Sequence, residues 1–222
     1  MIADALVERF SRLDACAVSD ALDSLSLPGE VTGLRRLAGE GRLVGRVVTV
    51  RLDGAVPGQI AARHLCTGAI EAAAPGDVVV VQQSTGLDAA GWGGVLSNAA
   101  KQAGLAGTIV EGPARDIDES AALGYVVFAR HATARTARGR VSEVDFNGPV
   151  TVGDVAVEPG DLVVADASAV VFVAQARAED VLRVAERIAA KETLMTEAVR
   201  AGRPISQVMG TDYESMLEPG AR

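Results

Sequence analysis

Two turns of the same chemistry, Pro75-Gly76-Asp77 and Pro159-Gly160-Asp161, each launch an unbroken apolar tetrad: Val78-Val79-Val80-Val81 and Leu162-Val163-Val164-Ala165. Proline fixes φ at the first central position of a type II turn, and glycine supplies the positive φ at the second. A tetrad without polar alternation has no face to give to water, so both segments are expected as strands buried in a core. Thr108-Ile109-Val110, Tyr125 to Ala129, Val170-Val171-Phe172-Val173 and the valine-rich span Leu43 to Leu52 add further strands. The resemblance of the two launching turns is local chemistry and does not recur as a repeat period.

Helical spacing appears between these strands. Leu6, Phe10 and Leu13 predict a helix over Asp4 to Leu13, and Ser19 is placed to cap a second one at Asp20-Ala21-Leu22. Gln59 to Ala74 reads as a helix stopped by Pro75-Gly76. Ala178 to Arg200 is the longest, with Val181, Leu182, Val184, Ala185 and Ile188 on its packing face and Gly202-Arg203-Pro204 ending it. Between Arg140 and Val157 short strands alternate with turns at Asn147-Gly148 and Gly153-Asp154, a pattern of antiparallel pairing. The expectation is an α/β fold, a layered β/β/α arrangement with mixed sheets and helices at both termini. It forms a single domain over residues 1–222, with a long C-terminal helix and polar tail from about residue 177.

Composition removes several function classes. No run of about 18 apolar residues exists to span a membrane, and Met1 to Glu8 carries acids where a signal peptide would be basic and then apolar. Cys16 and Cys66 are too few for a disulfide framework and are expected as small buried hydrophobes, which points to a cytoplasmic protein. A net charge of −8 argues against binding a nucleic-acid backbone. There are two lysines, Lys101 and Lys191, against nineteen arginines, and two histidines, His64 and His131. Schiff-base chemistry and a His/Cys zinc site therefore have almost nothing to draw on. Metal chemistry, if present, would use a hard, oxygen-bound ion such as Mg²⁺ or Mn²⁺.

Chemistry concentrates at Gly91-Trp92-Gly93-Gly94-Val95-Leu96-Ser97-Asn98 and at Arg115-Asp116. The first is a tight loop opening a helix, whose free N–H groups and positive dipole end favour an anion. The second follows the buried strand at Ile109, and ligands of open α/β folds sit beyond the carboxyl ends of strands. Residue chemistry alone leaves two readings of Arg115-Asp116. Asp116-Ile117-Asp118-Glu119 also matches a carboxylate capping box, with Asp116 capping a short helix to Leu123 and Glu119 reaching back. The glycine stretch lacks the spacing of a P-loop or a dinucleotide fingerprint, and Ser97 is not in a nucleophile elbow. His64, expected mid-helix, and His131, after a strand, read as structural.

Taken together these residues resemble the RraA-like family, which includes metal-dependent 4-hydroxy-4-methyl-2-oxoglutarate aldolases. Its signature is Gly, twenty residues, Arg-Asp, two residues, then Glu or Asp, and Gly94, Arg115, Asp116 and Glu119 fit that spacing. Similarity extends to Ala17-Val18-Ser19-Asp20-Ala21-Leu22, to both Pro-Gly-Asp turns, to Gly107 through Gly112 and to Val164-Ala165-Asp166.

The resemblance implies a Mg²⁺ (or Mn²⁺) held by Asp116 and a small 2-oxo acid substrate. Arg115 would lie on the keto oxygen, and amides at Gly94, Val95 and Leu96 on the carboxylate. It implies a homotrimer or homohexamer in which acids of an adjacent subunit, matched here by Asp20 and Glu192, complete each site. The implied reaction cleaves a 4-hydroxy-2-oxo acid, or decarboxylates oxaloacetate, through a pyruvate enolate. A cation and an arginine at that oxygen lower the barrier. The 4-hydroxyl proton needs a base, with Glu119 or a neighbour's acid orienting the water that takes it. The family also includes a protein regulator of RNase E, which makes a non-catalytic binding module the alternative. The chain departs from the aldolase pattern at Gly94, where an acid is usual, and at Ala169, where Asp-x-Asp-Gly-Val becomes Asp166-Ala167-Ser168-Ala169-Val170.

Overall fold

A computed structural model of the chain describes residues 5–56 and 63–210. The first half runs α1 Ala5–Phe10, α2 Ala15–Ser24, β1 Glu30–Val31, β2 Arg35–Ala38, β3 Leu43–Gly54, α3 Thr67–Ala72, β4 Val78–Gln82 and α4 Gly94–Gln102. The chain continues through β5 Gly107–Ala114, α5 Ile117–Ala122, β6 Val126–Ala132, β7 Val141–Phe146, β8 Val150–Val152 and β9 Val155–Val157. It then closes with β10 Leu162–Ala165, β11 Val170–Val173, α6 Ala178–Arg200 and α7 Ile205–Val208.

Nine strands form one mixed sheet in the order β1-β11-β10-β3-β4-β5-β6-β2, with β7 also on β3, while β8 and β9 make a separate antiparallel hairpin. β3 is the hinge of this topology. Its first residues pair antiparallel with β10, Val47–Arg51 pair parallel with β4, and Val50–Gly54 pair antiparallel with β7. β4, β5 and β6 continue in parallel, so their carboxyl ends emerge on the same side.

Burial explains the apolar tetrads. Val78 and Val80 join Val47, Ile109, Phe128, Val163 and Phe172 in one cluster, to which Val152 and Val157 of the β8–β9 hairpin also belong. That cluster draws on strands from both ends of the sheet order, so the sheet curls around it. The alternate residues Val79 and Val81 face outward into a second cluster, with Ile70, Leu96 and Trp92 from the α3–α4 side. Leu162 and Val164 face a third, with Phe10, Val18, Leu22, Val181 and Leu182 of α1, α2 and α6. Each tetrad is thus buried on both faces, as its composition requires.

The mixed α/β class and the helices at both termini match expectation, and the layers arise from a single curled sheet and its hairpin. Several boundaries differ. Asp4 lies outside the described residues, and α1 ends at Phe10, short of Leu13. Asp14, not Ser19, caps α2: its carboxylate accepts from the Ala17 N–H at 2.8 Å, and Ser19 sits inside the helix. Residues 59–62 of the helix expected from Gln59 lie outside the described residues. The rest forms a helix only over Thr67–Ala72.

The cause of that late start is tertiary. Glu143 of β7 accepts from the Cys66 N–H at 2.6 Å and from Arg63 at 2.9 Å, and Cys66 takes a left-handed φ of 65°. A fixed carboxylate at the segment's start outweighs its helix propensity. The tail from residue 211 also lies outside the described residues.

The junction of β3 with the first Pro-Gly-Asp turn supplies a test. A methyl group on Gly45 would fall inside contact distance of the Gly76 carbonyl oxygen and 2.9 Å from Val78. Gly45→Ala is expected to lower stability by about 1–3 kcal/mol, read as an earlier urea midpoint. An unchanged midpoint would mean the two backbones do not approach this closely.

Candidate active site

At the carboxyl end of β5 the glycine loop runs alongside the strand as a short parallel extension. Trp92 bridges Ala114, the Gly91 N–H donates to Pro113 O at 2.9 Å, and the Arg115 N–H donates to Trp92 O at 3.0 Å. This pairing sets Arg115 and Asp116 beside Gly93 and Gly94, where α4 begins. Asp116 adopts φ 55° and ψ 43°, the left-handed region. In that conformation its side chain turns back to α4, and its Oδ2 accepts from the Gly94 N–H at 3.0 Å. The Arg115 Nε lies 3.2 Å from both Asp116 oxygens.

A buried polar chain supports this arrangement from below. The Trp92 indole N–H donates to Ser97 Oγ at 2.9 Å, Ser97 shares a 2.8 Å hydrogen bond with Ser120 Oγ, and the Ser120 N–H donates to Asp116 O at 3.1 Å. Asp116 therefore holds no side-chain cap on α5, and the capping-box alternative does not hold. Glu119 does not reach back either. Its Oε1 accepts from Asn98 Nδ2 at 2.8 Å, tying α5 to α4.

Both glycines are explained by close approach. A Cβ at Gly93 would sit 2.9 Å from Asp116 Oδ2, and one at Gly94 would overlap the Glu119 carboxylate. The space an acidic side chain would need at position 94 is filled by the carboxylate of Glu119, delivered from α5.

The Gly94 N–H is taken by Asp116, while the Val95 and Leu96 N–H groups have no partner among the described residues. Both residues line a cleft of about 260 Å³. Its walls are the loop from Trp92 to Leu96, Arg115 and Asp116, the pair His64-Leu65, and Thr136 to Arg138. The two carboxylates flanking Gly93 and Gly94 are hard oxygen donors. Among the described residues no group of three or more His, Cys, Asp or Glu side chains could hold a metal ion. Such a sparse carboxylate set suits Mg²⁺, which keeps much of its water, and does not suit a zinc cage.

The remaining candidates lie elsewhere. Burial raises the pKa of both Asp20 of α2 and Glu192 of α6, the Asp20 charge adds to the rise at Glu192, and neither residue lines the cleft of its own chain. Burial is the larger cause for both carboxyls. Asp23, Asp14 and Glu30 add to the rise at Asp20, and Asp14 adds to it at Glu192. His131 pairs with Asp88 at 3.4 Å. Cys66 is buried, which pushes its thiol pKa up, but Cys16 is exposed on α2, contrary to expectation.

His64 precedes its helix and lines the cleft. The sequence reading of His64 as a structural mid-helix residue is thus corrected, while Thr136 and Arg138 escaped notice because they lie far in the chain from the glycine loop. The available signal was the run Thr133 to Arg140, with three arginines and no acid in an acidic chain.

Ser97→Ala tests the buried chain. It leaves the indole N–H without a partner, which is expected to cost about 1–3 kcal/mol. Because Trp92 is the only tryptophan, its emission should change as well. Unchanged stability and emission would contradict the network.

Known proteins place the chain. The RraA-like profile, Aldolase/RraA, matches residues 15–172. A protein of Halalkalibacterium halodurans named "Putative 4-hydroxy-4-methyl-2-oxoglutarate aldolase" is 30% identical over 193 residues, covering 87% of this chain and 88% of that protein. Protein DlpA of Legionella pneumophila is 24% identical over 203 residues, and there the chain spans 33% of the relative's length and 91% of its own. A crystal structure of an uncharacterized protein from Pseudomonas syringae superposes with a TM-score of 0.84 at 29% identity, over 94% of this chain and 98% of that one. On the match over residues 15–172, the chain belongs to the RraA-like family.

Proposed function

We propose that the chain is a divalent-metal-dependent carbon–carbon lyase. It would release pyruvate by retro-aldol cleavage of a 4-hydroxy-2-oxo acid, or by decarboxylation of oxaloacetate. One observation carries this reading: the Asp116 carboxylate, the Arg115 guanidinium and the open Val95 and Leu96 amides converge on a single small cleft. Relatives named as aldolases add weight to it.

In this reading the Val95 and Leu96 N–H groups, at the positive end of α4, bind the substrate carboxylate. Arg115 donates to the keto oxygen, where negative charge develops as the enolate forms, and a donor aimed at developing charge lowers the barrier. Asp116 would hold Mg²⁺ or Mn²⁺, which when bound would supply further stabilisation of the developing negative charge. Glu119, kept in place by Asn98, orients the water that accepts the 4-hydroxyl proton. Trp92 and Leu96 give the cleft an apolar floor that strengthens these charge interactions.

A homotrimer or homohexamer belongs to the same reading, with Asp20 and Glu192 of one copy approaching the cleft of the next. In support, α6 has no buried residue after Ile188, and its second half forms an apolar groove with α7 beside Glu192. Among the described residues no helix is long and apolar enough to cross a membrane.

The test is pyruvate release from oxaloacetate, counted above the enzyme-free rate at the same metal concentration. Turnover is expected with Mg²⁺ and is lost in EDTA, and Asp116→Asn should no longer respond to metal. Arg115→Ala should lower kcat by about 10²–10³-fold, the usual effect of losing an oxyanion donor. Metal-independent release, or full activity in Arg115→Ala, would overturn the reading.

A further inference from the structure

Retro-aldol cleavage and decarboxylation end in the same step: an enolate whose C3 must gain a proton before pyruvate leaves. Glu119 attends the 4-hydroxyl proton, which oxaloacetate lacks, so a second proton carrier is needed. With the carboxylate on the Val95 and Leu96 amides and the keto oxygen at Arg115, C3 is directed away from both. The walls left to receive it are His64-Leu65 and Thr136 to Arg138.

Few side chains of the cleft can supply that proton. Arg115 and Arg138 hold theirs permanently. Asp116 is committed to the Gly94 N–H and to Arg115. The Thr136 hydroxyl accepts from the Arg138 N–H at 3.3 Å, and an aliphatic alcohol does not ionise near neutrality. The Trp92 N–H is spent on Ser97. His64 remains, and imidazole is the side chain that ordinarily changes charge between about pH 5 and 8.

Its segment is anchored to the glycine loop. The Cys66 N–H donates to Glu143 at 2.6 Å, and the Cys66 thiol donates to Gly91 O at 3.6 Å. Thr67 Oγ1 donates to His64 O at 2.8 Å. The neighbouring Arg63 is engaged elsewhere, with Glu143 at 2.9 Å and over the Phe146 ring at 4.4 Å. The His64 ring is oriented by its own chain, with Nδ1 3.1 Å from Leu65 O. A carbonyl only accepts, so Nδ1 carries a hydrogen and Nε2 is the nitrogen that gains and loses the second proton. Nε2 has no partner among the described residues.

We infer that His64 is a catalytic residue of the cleft, the group that carries a proton to and from C3 of the pyruvate unit. The inference rests on the 2-oxo acid reading. In the lyase direction the bond from C3 to the departing half breaks, and its electron pair runs through C2 to the keto oxygen. As that pair returns, the protonated ring delivers its Nε2 proton to C3, and the neutral ring regains one from water. On bound pyruvate the same step runs backward: Nε2 takes a methyl proton and the enolate forms. The charged groups around the step are Arg115, Arg138 and Asp116 of the cleft, the divalent cation, Glu119 at Gly94, and the Arg63–Glu143 pair beside His64. In the assembly, Asp20 and Glu192 of an adjacent copy join them.

The exchange of pyruvate methyl protons with D₂O isolates this step, because it needs no bond to carbon to break. Proton NMR of the Mg²⁺-loaded protein, corrected for the enzyme-free rate, should show the methyl signal decaying. The rate should rise with pH through the histidine range, since the neutral ring is the base. His64→Asn, whose amide can still donate to Leu65 O, should slow exchange about 100-fold or more and lose that rise. Its affinity for oxalate, which has no C3, should stay within about threefold of wild type by calorimetry. Added imidazole should restore exchange to His64→Ala, and His131→Asn should exchange normally.

Wild-type exchange in His64→Asn, or exchange lost in step with oxalate binding, would overturn the role of His64. So would a wild type that binds oxalate without exchanging pyruvate. A wild type that neither binds oxalate nor exchanges pyruvate would overturn the 2-oxo acid reading as well. His64-dependent exchange without pyruvate release from oxaloacetate would keep His64 and overturn only the lyase. Should His64→Asn fail to fold by circular dichroism, the wild-type pH profile and His64→Gln still decide.

Discussion

A single hydrogen bond, from the Gly94 N–H to the Asp116 carboxylate, joins two elements 22 residues apart and sets the geometry of the cleft. It requires Asp116 in the left-handed region, which costs an L-residue about 1–2 kcal/mol. A hydrogen bond to a charged group contributes about 1.5–3 kcal/mol net, enough to offset that cost. The Trp92, Ser97 and Ser120 chain beneath it adds a second restraint on the Asp116 backbone. With Asp116 on the first amide of α4, the next two amides remain open to a ligand, and Arg115 is carried into the same cleft.

That arrangement depends on the curled sheet. Parallel pairing of β3 through β6 brings their carboxyl ends to one side, and burial of the Val78–Val81 tetrad on both faces fixes the register between them. The loop from Gly91 then has an ordered strand end to pair with, at Pro113 and Ala114. Two tight approaches account for the glycines. Neither Gly93 nor Gly94 needs a positive φ, and each is instead required by a carboxylate lying where a Cβ would go.

Much of this was legible in the sequence because it rests on local chemistry. The Pro-Gly-Asp turns, the apolar tetrads and the helix over Ala178–Arg200 follow from turn residues and periodicity, which act within a few positions. The pairing of Gly94 with Arg115 and Asp116 was readable from a spaced motif. What was not legible depends on contacts distant in sequence. Asp116-Ile117-Asp118-Glu119 has the pattern of a capping box, yet the Gly94 amide draws Asp116 away and Asn98 draws Glu119. Glu143 delays the helix expected from Gln59, and that brings His64 to the cleft. Arg138 arrives from the β6–β7 connection, fixed there by backbone bonds to Ala90 and Ala114 that no local pattern announces.

The central claim is that Asp116 and the amides of Val95 and Leu96 form one site for a divalent cation and a 2-oxo acid. A crystal structure of the protein soaked with Mn²⁺ and oxalate, a mimic of the pyruvate enolate, tests it most directly. Anomalous density for the cation against Asp116, with an oxalate carboxylate on the Val95 and Leu96 amides and Arg115 within hydrogen-bond reach, is the result expected. Cation density elsewhere, or oxalate absent from the cleft at a concentration that loads the metal, would contradict the account.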